Sequence, residues 1–237
     1  MAKSSPIPDI EPSSASEAPG SRAIPNQPCL IAQTLGVIGD RWTLLILRDL
    51  MSGLHRYTDI LENCAGMSPN VLSDRLKRLE GAGLVNREYF RELPPRVEYT
   101  LTEKGWAVRP ILLSLIEWGS QYLSPFDPLS VGTEVPTDFA VRVVPTFSFL
   151  PERAGDLDAT MVIEISDCSD CNTWTLEIRD GRIHPRRRAA DIADVRLLTT
   201  TPGFSAFIRG DAPAEECGTL HGDPETARAI QACFLSH

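Results

Sequence analysis

The sequence predicts an α+β protein with two domains of different character, and two observations support this fold class. Between Cys29 and Tyr122, apolar residues recur at helical spacing around one alternating stretch with a proline pair, a pattern typical of helices and a β-hairpin. Beyond Ser130, short alternating runs separated by turn residues predict a mostly antiparallel sheet with helices. We therefore expect a disordered tail over 1–27, a helical domain with a hairpin over 28–123, a linker over 124–130 and a small α+β domain over 131–237.

For judging whether the chain can bind nucleic acid, the distribution of charge along the sequence is more informative than the net charge. The 237 residues carry a formal net charge of −9, which would argue against a nucleic-acid partner. However, residues 28–123 hold 11 Lys and Arg against 11 Asp and Glu, whereas residues 126–237 hold 10 against 18. Residues 68–96 hold six basic and four acidic side chains. The acidity belongs to the second half, so the charge of the first half does not exclude nucleic-acid binding.

Several classes of protein are disfavoured by what the chain lacks. No run approaches the about 18 apolar residues of a membrane span, and the N-terminal segment has no apolar core of a signal peptide. We therefore expect a cytoplasmic protein without a membrane partner, whose six cysteines are mostly reduced thiols. No nucleophile stands beside a base in a catalytic pattern, so we expect no enzymatic activity and no cofactor.

The stretch MSPNVLSDRLKRLEGAGLV, residues 67–85, predicts a helix with a distinct outer face. Ser68 can cap it, Pro69 suits its first position, and glycines at 81 and 83 end it. An apolar stripe is formed by Leu72, Leu76 and Leu79. The opposite face is either a solvated surface or a surface that binds a partner; it carries Asn70, Asp74, Lys77 and Arg78, with Ser73 and Arg75 on its flanks.

Shorter helices precede this one. In CLIAQTLGVIGDRW, an apolar face is formed by Leu30, Ile31, Leu35 and Ile38, and Asp40 can cap the helix that follows. The stretch YTDILENC, residues 57–64, predicts a further short helix before the turn at Gly66. Two short helices joined by a turn are typical of a helix-turn-helix, whose second helix contacts bases.

A β-hairpin is predicted directly after the second helix. Alternation in LVNREYFRELPPRVEYTLT is interrupted by two prolines, which places Arg91, Pro94, Pro95 and Arg96 at the tip. A helix-turn-helix followed by a basic hairpin is the arrangement of a winged helix, and the arginines are suited to backbone phosphates.

A further helix is predicted from Glu103 to about Tyr122, capped by Thr102 and kinked or restarted at Pro110. A narrow apolar seam runs along it. The seam either packs on its own domain or forms a dimer interface; its members are Ile111, Leu115, Trp118 and Tyr122.

Taken in order, these stretches resemble the HxlR family of winged-helix transcriptional regulators, a relative of the MarR group. The resemblance extends from Cys29 to Tyr122 and comprises GDRWTLLILRDL, RYTDIL, SPNVLSDRLKRLEGAGLV, PPRVEYTLTEKG and EWG. It implies a homodimer that binds a two-fold site in double-stranded DNA, with one recognition helix for each half-site. It also implies the DNA-contacting residues: Ser68, Asn70, Ser73, Lys77 and Arg78 on the helix, and Arg91 and Arg96 on the wing. Arg75 borders the leucine face and is a candidate structural clamp instead.

The resemblance extends to a thiol. Members of the family often carry a cysteine ahead of the first helix that senses oxidants or electrophiles, and Cys29 matches its position. A thiol at a helix N-terminus can be more reactive than usual. The alternative is a packed cysteine without a sensing role.

In the second half, the strands are predicted at FAVRVVPTF, ATMVIEIS, TWTLEIRDGRI and DVRLLTT, with a tight turn at Asp180 and Gly181. Helices are predicted at GFSAFIRGD and at DPETARAIQACF. This order resembles the sterol-carrier-protein-like fold, which implies an apolar cavity for a small hydrophobic ligand. The candidate lining residues, each alternatively a plain core residue, are Trp174, Phe204, Phe207 and Phe234.

Two other features are candidate sites. Cys168 and Cys171 have the spacing of zinc ligands, and Cys217 with His221 could complete a set. A disulfide or no special role are the alternatives, and because a second tight pair is missing we predict no metal site. The run Arg186 to Arg188 either binds anions or is simply solvated.

Together these observations predict a dimeric, DNA-binding transcriptional repressor whose operator binding is modulated by a small hydrophobic effector. The main alternative is a regulator that senses oxidants or electrophiles through Cys29. A lipid-carrying or enzymatic second domain tethered to DNA is the third hypothesis.

Overall fold

The computed structural model of the protein describes residues 29–91, 95–123, 136–168 and 173–234. These belong to two compact units, Met1–Gly39 and Asp40–His237. In the first unit the described residues form one helix, α1 (Leu30–Ile38), which follows Cys29. Leu30, Ile31 and Leu35 are exposed, so most of the predicted apolar face of α1 is uncovered in the single chain. The predicted tail and linker lie outside the described residues, and the domain limits remain predictions.

The second unit begins with three helices: α2 (Arg41–Met51), α3 (Tyr57–Asn63) and α4 (Pro69–Gly81). Asp40 caps α2 as predicted, because its carboxylate accepts a hydrogen bond from the Trp42 backbone N–H at 2.9 Å. The helices enclose a small core. Its most deeply buried members include Ile46, Leu47, Ile60, Leu72, Leu76 and Leu79.

A hairpin follows the three helices. Strands β1 (Val85–Phe90) and β2 (Arg96–Leu101) pair antiparallel, with Val85 opposite Leu101 and Phe90 opposite Arg96. The chain then forms α5 (Glu103–Trp106) and α6 (Arg109–Tyr122). Pro110 stands in the first turn of α6, so the predicted helix restarts at this proline. The predicted winged-helix arrangement is confirmed for this half.

The remaining residues form a mixed α/β half. It begins with α7 (Thr137–Ser148) and α8 (Pro151–Ala154). Its strands are β3 (Ala159–Ile165), β4 (Thr173–Arg179), β5 (Arg182–Arg186), β6 (Val195–Thr199) and β7 (Gly218–Gly222). Its later helices are α9 (Thr201–Arg209), α10 (Ala214–Cys217) and α11 (Pro224–Ala232).

The five strands form one sheet in the order β5-β4-β3-β6-β7. Only the β3–β6 pair is parallel, so the predicted mostly antiparallel sheet is confirmed. Asp180 and Gly181 have φ values of +50° and +66°, which suit the tight turn between β4 and β5. Met161, Leu176 and Leu197 face a core that α9 and α11 also contribute to.

One predicted strand is wrong. The stretch FAVRVVPTF, residues 139–147, lies within helix α7. Its β-branched valines suggested a strand, but every residue from Ala140 to Phe147 is buried. A helix that is covered on all sides shows no apolar stripe, so its sequence pattern does not separate it from a buried strand. The short α8, α10 and β7 were not predicted.

None of the described helices is, taken singly, long and apolar enough to cross a membrane.

The winged-helix half and the α/β half meet through buried polar groups. The Arg142 side chain on α7 has no exposed surface, and its Nη1 donates to Ser52 Oγ at 3.0 Å, just beyond the end of α2. Its other nitrogens bind Asp138, which also accepts from the Trp174 indole at 3.0 Å. Nearby, a Cβ at Gly53 would lie 1.9 Å from the Pro185 carbonyl oxygen, so the loop after α2 and β5 are in close contact.

Two histidines lie at the same junction, one from each half. His55 follows α2 and His184 lies on β5 beside the Trp106 ring, with ring centroids 5.9 Å apart. Burial lowers the pKa of both imidazoles below the ordinary value of 6.5. The negative charges of Glu98 and Asp59 oppose the lowering of the His55 pKa, and the positive charge of Arg186 adds to it.

The lowering of the His184 pKa is opposed by the charge of Glu177 and increased by those of Arg182, Arg186 and His55. Both side chains are therefore neutral in the folded chain at pH 7. The unfolded chain binds more protons than the folded chain once the pH falls below 6.5, so that protonation favours unfolding.

We predict that the free energy of unfolding decreases as the pH falls below about 6.5 and that this decrease is smaller in a His55→Gln/His184→Gln variant. Urea unfolding of both proteins at roughly pH 7.5 and 5.5 tests this. His221→Gln, a change at an exposed histidine on β7, serves as control. An unchanged pH dependence in the double variant would contradict the assignment.

Candidate nucleic-acid interface

Helix α4 presents a polar face to solvent. Ser68 Oγ accepts from the Val71 backbone N–H at 3.4 Å, which is the predicted N-cap. The leucine stripe is buried, whereas Asn70, Ser73 and Lys77 are exposed. Arg78 is half-buried and pairs with Asp74 one turn earlier at 3.0 Å. The face therefore combines three exposed polar side chains, one of them a lysine, with a charge-paired arginine at its edge.

Tyr57 on α3 holds the first turn of α4. Its hydroxyl donates to the Pro69 carbonyl oxygen at 2.6 Å and lies 3.1 Å from Ser73 Oγ. Ser73, predicted to contact DNA, is thus exposed but has a partner within the protein. The role of Tyr57 was missed because it depends on a contact with another helix, which the sequence of α3 does not indicate.

Arg75 fixes α4 against the start of α2. Its Nη2 lies 3.2 Å from a carboxylate oxygen of Asp40, which also caps α2. The side chain is mostly covered. This geometry favours the predicted clamp over a contact with DNA.

The turn between α3 and α4 is held by a buried carboxylate. Asp49 on α2 is fully buried and accepts from Arg48 Nε at 2.8 Å, Asn63 Nδ2 at 2.8 Å and Cys64 Sγ at 3.3 Å. Burial, together with the adjacent Asp49 charge and hydrogen bond, raises the pKa of Cys64 to about 12. Cys64 is therefore a structural thiol that ties the end of α3 to α2. An acidic residue within the apolar stripe of α2 was the available signal for this site.

The wing presents arginines of two kinds. Arg91 is exposed beyond the end of β1. Arg96 is half-buried, with its guanidinium 4.6 Å from the centre of the Phe90 ring and 3.0 Å from Glu98. Pro95 is exposed, and Pro94 lies outside the described residues. Arg91 is the more accessible of the two predicted wing contacts.

The predicted apolar seam on α6 is uncovered in the single chain. Ile111, Leu115, Trp118 and Tyr122 are 40 to 63% exposed, and the last two rings lie 5.5 Å apart. Ile116 and Leu123 extend this exposed apolar surface. The surface is available to a partner.

The candidate ligand-lining residues lie in the core of the α/β half. Trp174, Phe204 and Phe207 are fully buried, and Phe234 is 1% exposed. The Trp174 indole N–H is used by Asp138. These positions are those of core residues, and their role in a cavity remains a prediction.

The cysteine candidates are scattered. Cys29 is exposed, and its side chain does not hydrogen-bond to the start of α1. Cys168 is half-buried, Cys217 donates to the Ala212 carbonyl oxygen at 3.4 Å, and His221 is exposed. Cys171 lies outside the described residues, so the zinc and disulfide alternatives stay untested. Arg186 and Arg187 of the basic run pair with Glu177 and Asp138 respectively.

Comparison with known proteins identifies the first half. The family model of the HxlR-like helix-turn-helix matches residues 37–127. An HTH-type transcriptional regulator of Methanothermobacter thermautotrophicus is 43% identical over 94 residues, which cover 40% of this chain and 72% of the relative. YdeP of Bacillus subtilis is 33% identical over 104 residues, which cover 44% of this chain and 81% of YdeP. YodB of the same organism is 38% identical over 91 residues, which cover 38% of this chain and 81% of YodB.

The match falls on the stretch that carries α2 to α6, with its exposed polar helix and hairpin. The chain therefore belongs to the HxlR family of DNA-binding, helix-turn-helix transcriptional regulators, which share the MarR-like winged-helix fold.

Proposed function

We propose that this regulator binds a two-fold operator as a homodimer, with one α4 in the major groove of each half-site. The observation that carries this proposal is the outer face of α4. Its polar side chains are exposed, while Tyr57 and Arg75 fix the helix that presents them. A fixed helix with free polar side chains is what direct recognition of bases requires.

The side chains of this face suit different parts of the duplex. An asparagine such as Asn70 can form two hydrogen bonds with adenine, and a lysine such as Lys77 can bind guanine or a phosphate. Arg78, already paired with Asp74, is better suited to a phosphate beside the groove. Ser68 lies at the N-terminus of α4, where backbone N–H groups favour phosphate. Arg91 adds a phosphate contact from the wing, with Arg96 behind it.

The dimer is proposed from the exposed apolar surface on α6. Six large apolar side chains exposed along the length of one helix and its C-cap are unusual on a protein that stays monomeric. A second copy of the chain offers the same surface, and a two-fold contact is the commonest way to cover it. Two recognition helices related by this axis would match a two-fold operator.

We further propose that the regulator is a cytoplasmic repressor and that a small hydrophobic effector acts through the α/β half. The sterol-carrier-like cavity remains part of this proposal, with Trp174, Phe204, Phe207 and Phe234 as its candidate lining. The contacts of Arg142 with Ser52 support a coupling between that half and α2. An effector that prefers one arrangement of the two halves would change operator affinity.

A thiol switch at Cys29 is the second candidate, favoured by the exposure of this cysteine ahead of α1. We expect a Cys29→Ser variant to lose any response of operator binding to an oxidant if this thiol is the sensor. A fully retained response would exclude it.

We predict that Asn70→Ala weakens binding to the operator by about 1–3 kcal/mol and removes the preference for one base, because it deletes a base contact. Arg91→Ala is expected to weaken binding to all DNA and to reduce the salt slope by about one, because it deletes a phosphate contact. Titrations against the upstream intergenic DNA and a scrambled duplex at two salt concentrations measure both effects.

Arg179→Ala is the matched control for these titrations, since Arg179 is an exposed arginine on β4, paired with Asp158 at 3.2 Å. Binding without any sequence preference in the unmodified protein would contradict the recognition role of α4. Equal losses on both duplexes for Asn70→Ala would contradict the role of that residue.

We also predict that Leu115→Asp converts a dimer to a monomer, because two buried carboxylates would face each other across the seam. Sedimentation equilibrium of the full chain measures this. Ala229→Asp places the same charge at an exposed position of α11, outside this surface, and should leave the dimer intact. A monomeric unmodified protein, or a folded Leu115→Asp dimer, would contradict the proposed interface.

A further inference from the structure

A cleft of about 390 Å³ opens where the winged-helix half meets the α/β half. Helices α5 and α6 form one wall, and the end of α7, the start of α8 and the β4–β5 turn form the other. This volume falls in the range of small-molecule sites, roughly 300–1,000 Å³. The four aromatic residues proposed from the sequence as cavity lining do not belong to it.

Much of the cleft wall is apolar. It includes Trp106 and Pro110 from the winged-helix half and Phe149 and Ile183 from the other half. The Trp106 ring is fixed by neighbours of the opposite half, since the Arg182 guanidinium lies 5.5 Å from its centre and His184 meets it edge-on. Because the indole ring is already fixed, a flat apolar molecule can pack against it without the entropy cost of ordering the side chain on binding.

The cleft also contains a cation whose charge is not matched. Arg109 donates from Nε and Nη2 to the carbonyl oxygen of Thr146 at 3.3 and 3.0 Å, and from Nη2 to that of Phe149 at 2.7 Å. Among the described residues no carboxylate forms an ion pair with it and no atom accepts from its Nη1. Burial lowers the pKa of this guanidinium, and a more distant Glu152 only partly offsets the effect.

The acidic residues of the cleft do not supply the missing partner. Glu103 is exposed and already accepts two hydrogen bonds from Arg182. Asp180 is exposed in the β4–β5 turn. A partly desolvated guanidinium with a free N–H is stabilised by a carboxylate, because a charge-assisted hydrogen bond replaces water that burial has removed.

We propose that this cleft binds a small organic anion with a flat apolar body. Its carboxylate would bind Arg109, and its body would lie against Trp106 between the two halves. Binding of the ligand does not depend on the proposed function; only its role as an effector rests on the proposal that the chain binds DNA. Because both halves build the site, the ligand would bind differently to any arrangement that opens the cleft.

Calorimetric titration of the full chain, without DNA, tests the site with 2-naphthoate and its neutral counterpart 2-naphthamide as probes. We expect naphthoate to bind at least tenfold more tightly than naphthamide. Arg109→Gln should lower the affinity for naphthoate about tenfold, to that of the amide, because it removes one charge-assisted interaction. Naphthamide binding should not change in this variant.

Two further variants keep the test independent of folding. Ala107→Phe fills the cleft from an exposed position and leaves Arg109 in place, so it should abolish binding of both probes. Arg179→Gln, outside the cleft, should leave both affinities unchanged. The proposal is overturned if naphthoate binds no better than the amide, or if Ala107→Phe binds naphthoate as the unmodified chain does. Failure of operator binding is measured separately and would leave this site standing.

Discussion

The two halves of the Asp40–His237 unit meet at a buried guanidinium, that of Arg142. A guanidinium without solvent contact costs several kcal/mol unless its donors are satisfied. Here Arg142 Nη1 donates to Ser52 Oγ at 3.0 Å, and Nη2 donates to a carboxylate oxygen of Asp138 at 2.9 Å. Although burial opposes ionisation of Asp138, the hydrogen bonds from Arg142 and Trp174 hold the pKa of this carboxyl below its ordinary value. Separating the halves would remove Ser52 from Arg142, whereas Asp138 and Trp174 belong to the same half as Arg142 and would stay with it.

This junction lies close to the elements that position the DNA-binding helix. Ser52 accepts from Arg142, and its hydroxyl donates to the Asp49 carbonyl oxygen at 3.1 Å. The Asp49 carboxylate in turn accepts from Asn63 and Cys64, at the end of α3. A continuous set of hydrogen bonds thus joins α7 to the turn before α4. In the function proposed above, an effector in the α/β half would act on α4 through α2, and the seam on α6 would form the dimer interface.

Local patterns in the sequence were sufficient for much of the first half. The Ser68 cap, the leucine stripe, the glycine stop and the hairpin are each decided by neighbouring residues, and all are present. The buried helix over 139–147 was mistaken for a strand because its environment, and not its own pattern, selects the helix. The same limit applies to polar contacts between distant segments.

Arg142 and Ser52 are 90 residues apart, and nothing in either stretch indicates that they meet. Tyr57 and Asp49 were missed for a similar reason, since each acts through a partner on another helix. The exposure of the outer face of α4 could be predicted because it follows from which residues of the helix are not used in packing. The cleft at Arg109 depends on both halves and could be found only in the structure.

Native-state hydrogen exchange of the full chain tests most directly whether the two halves act as one body. The amides of α2 and α4 would be compared with those of β3 and β4 at increasing, sub-denaturing urea concentrations. If the buried Arg142 contacts join the halves, the most protected amides of both sets will merge into a single opening reaction with one free energy. Opening of α2 and α4 at a clearly lower free energy, while β3 and β4 stay protected, would contradict this coupling.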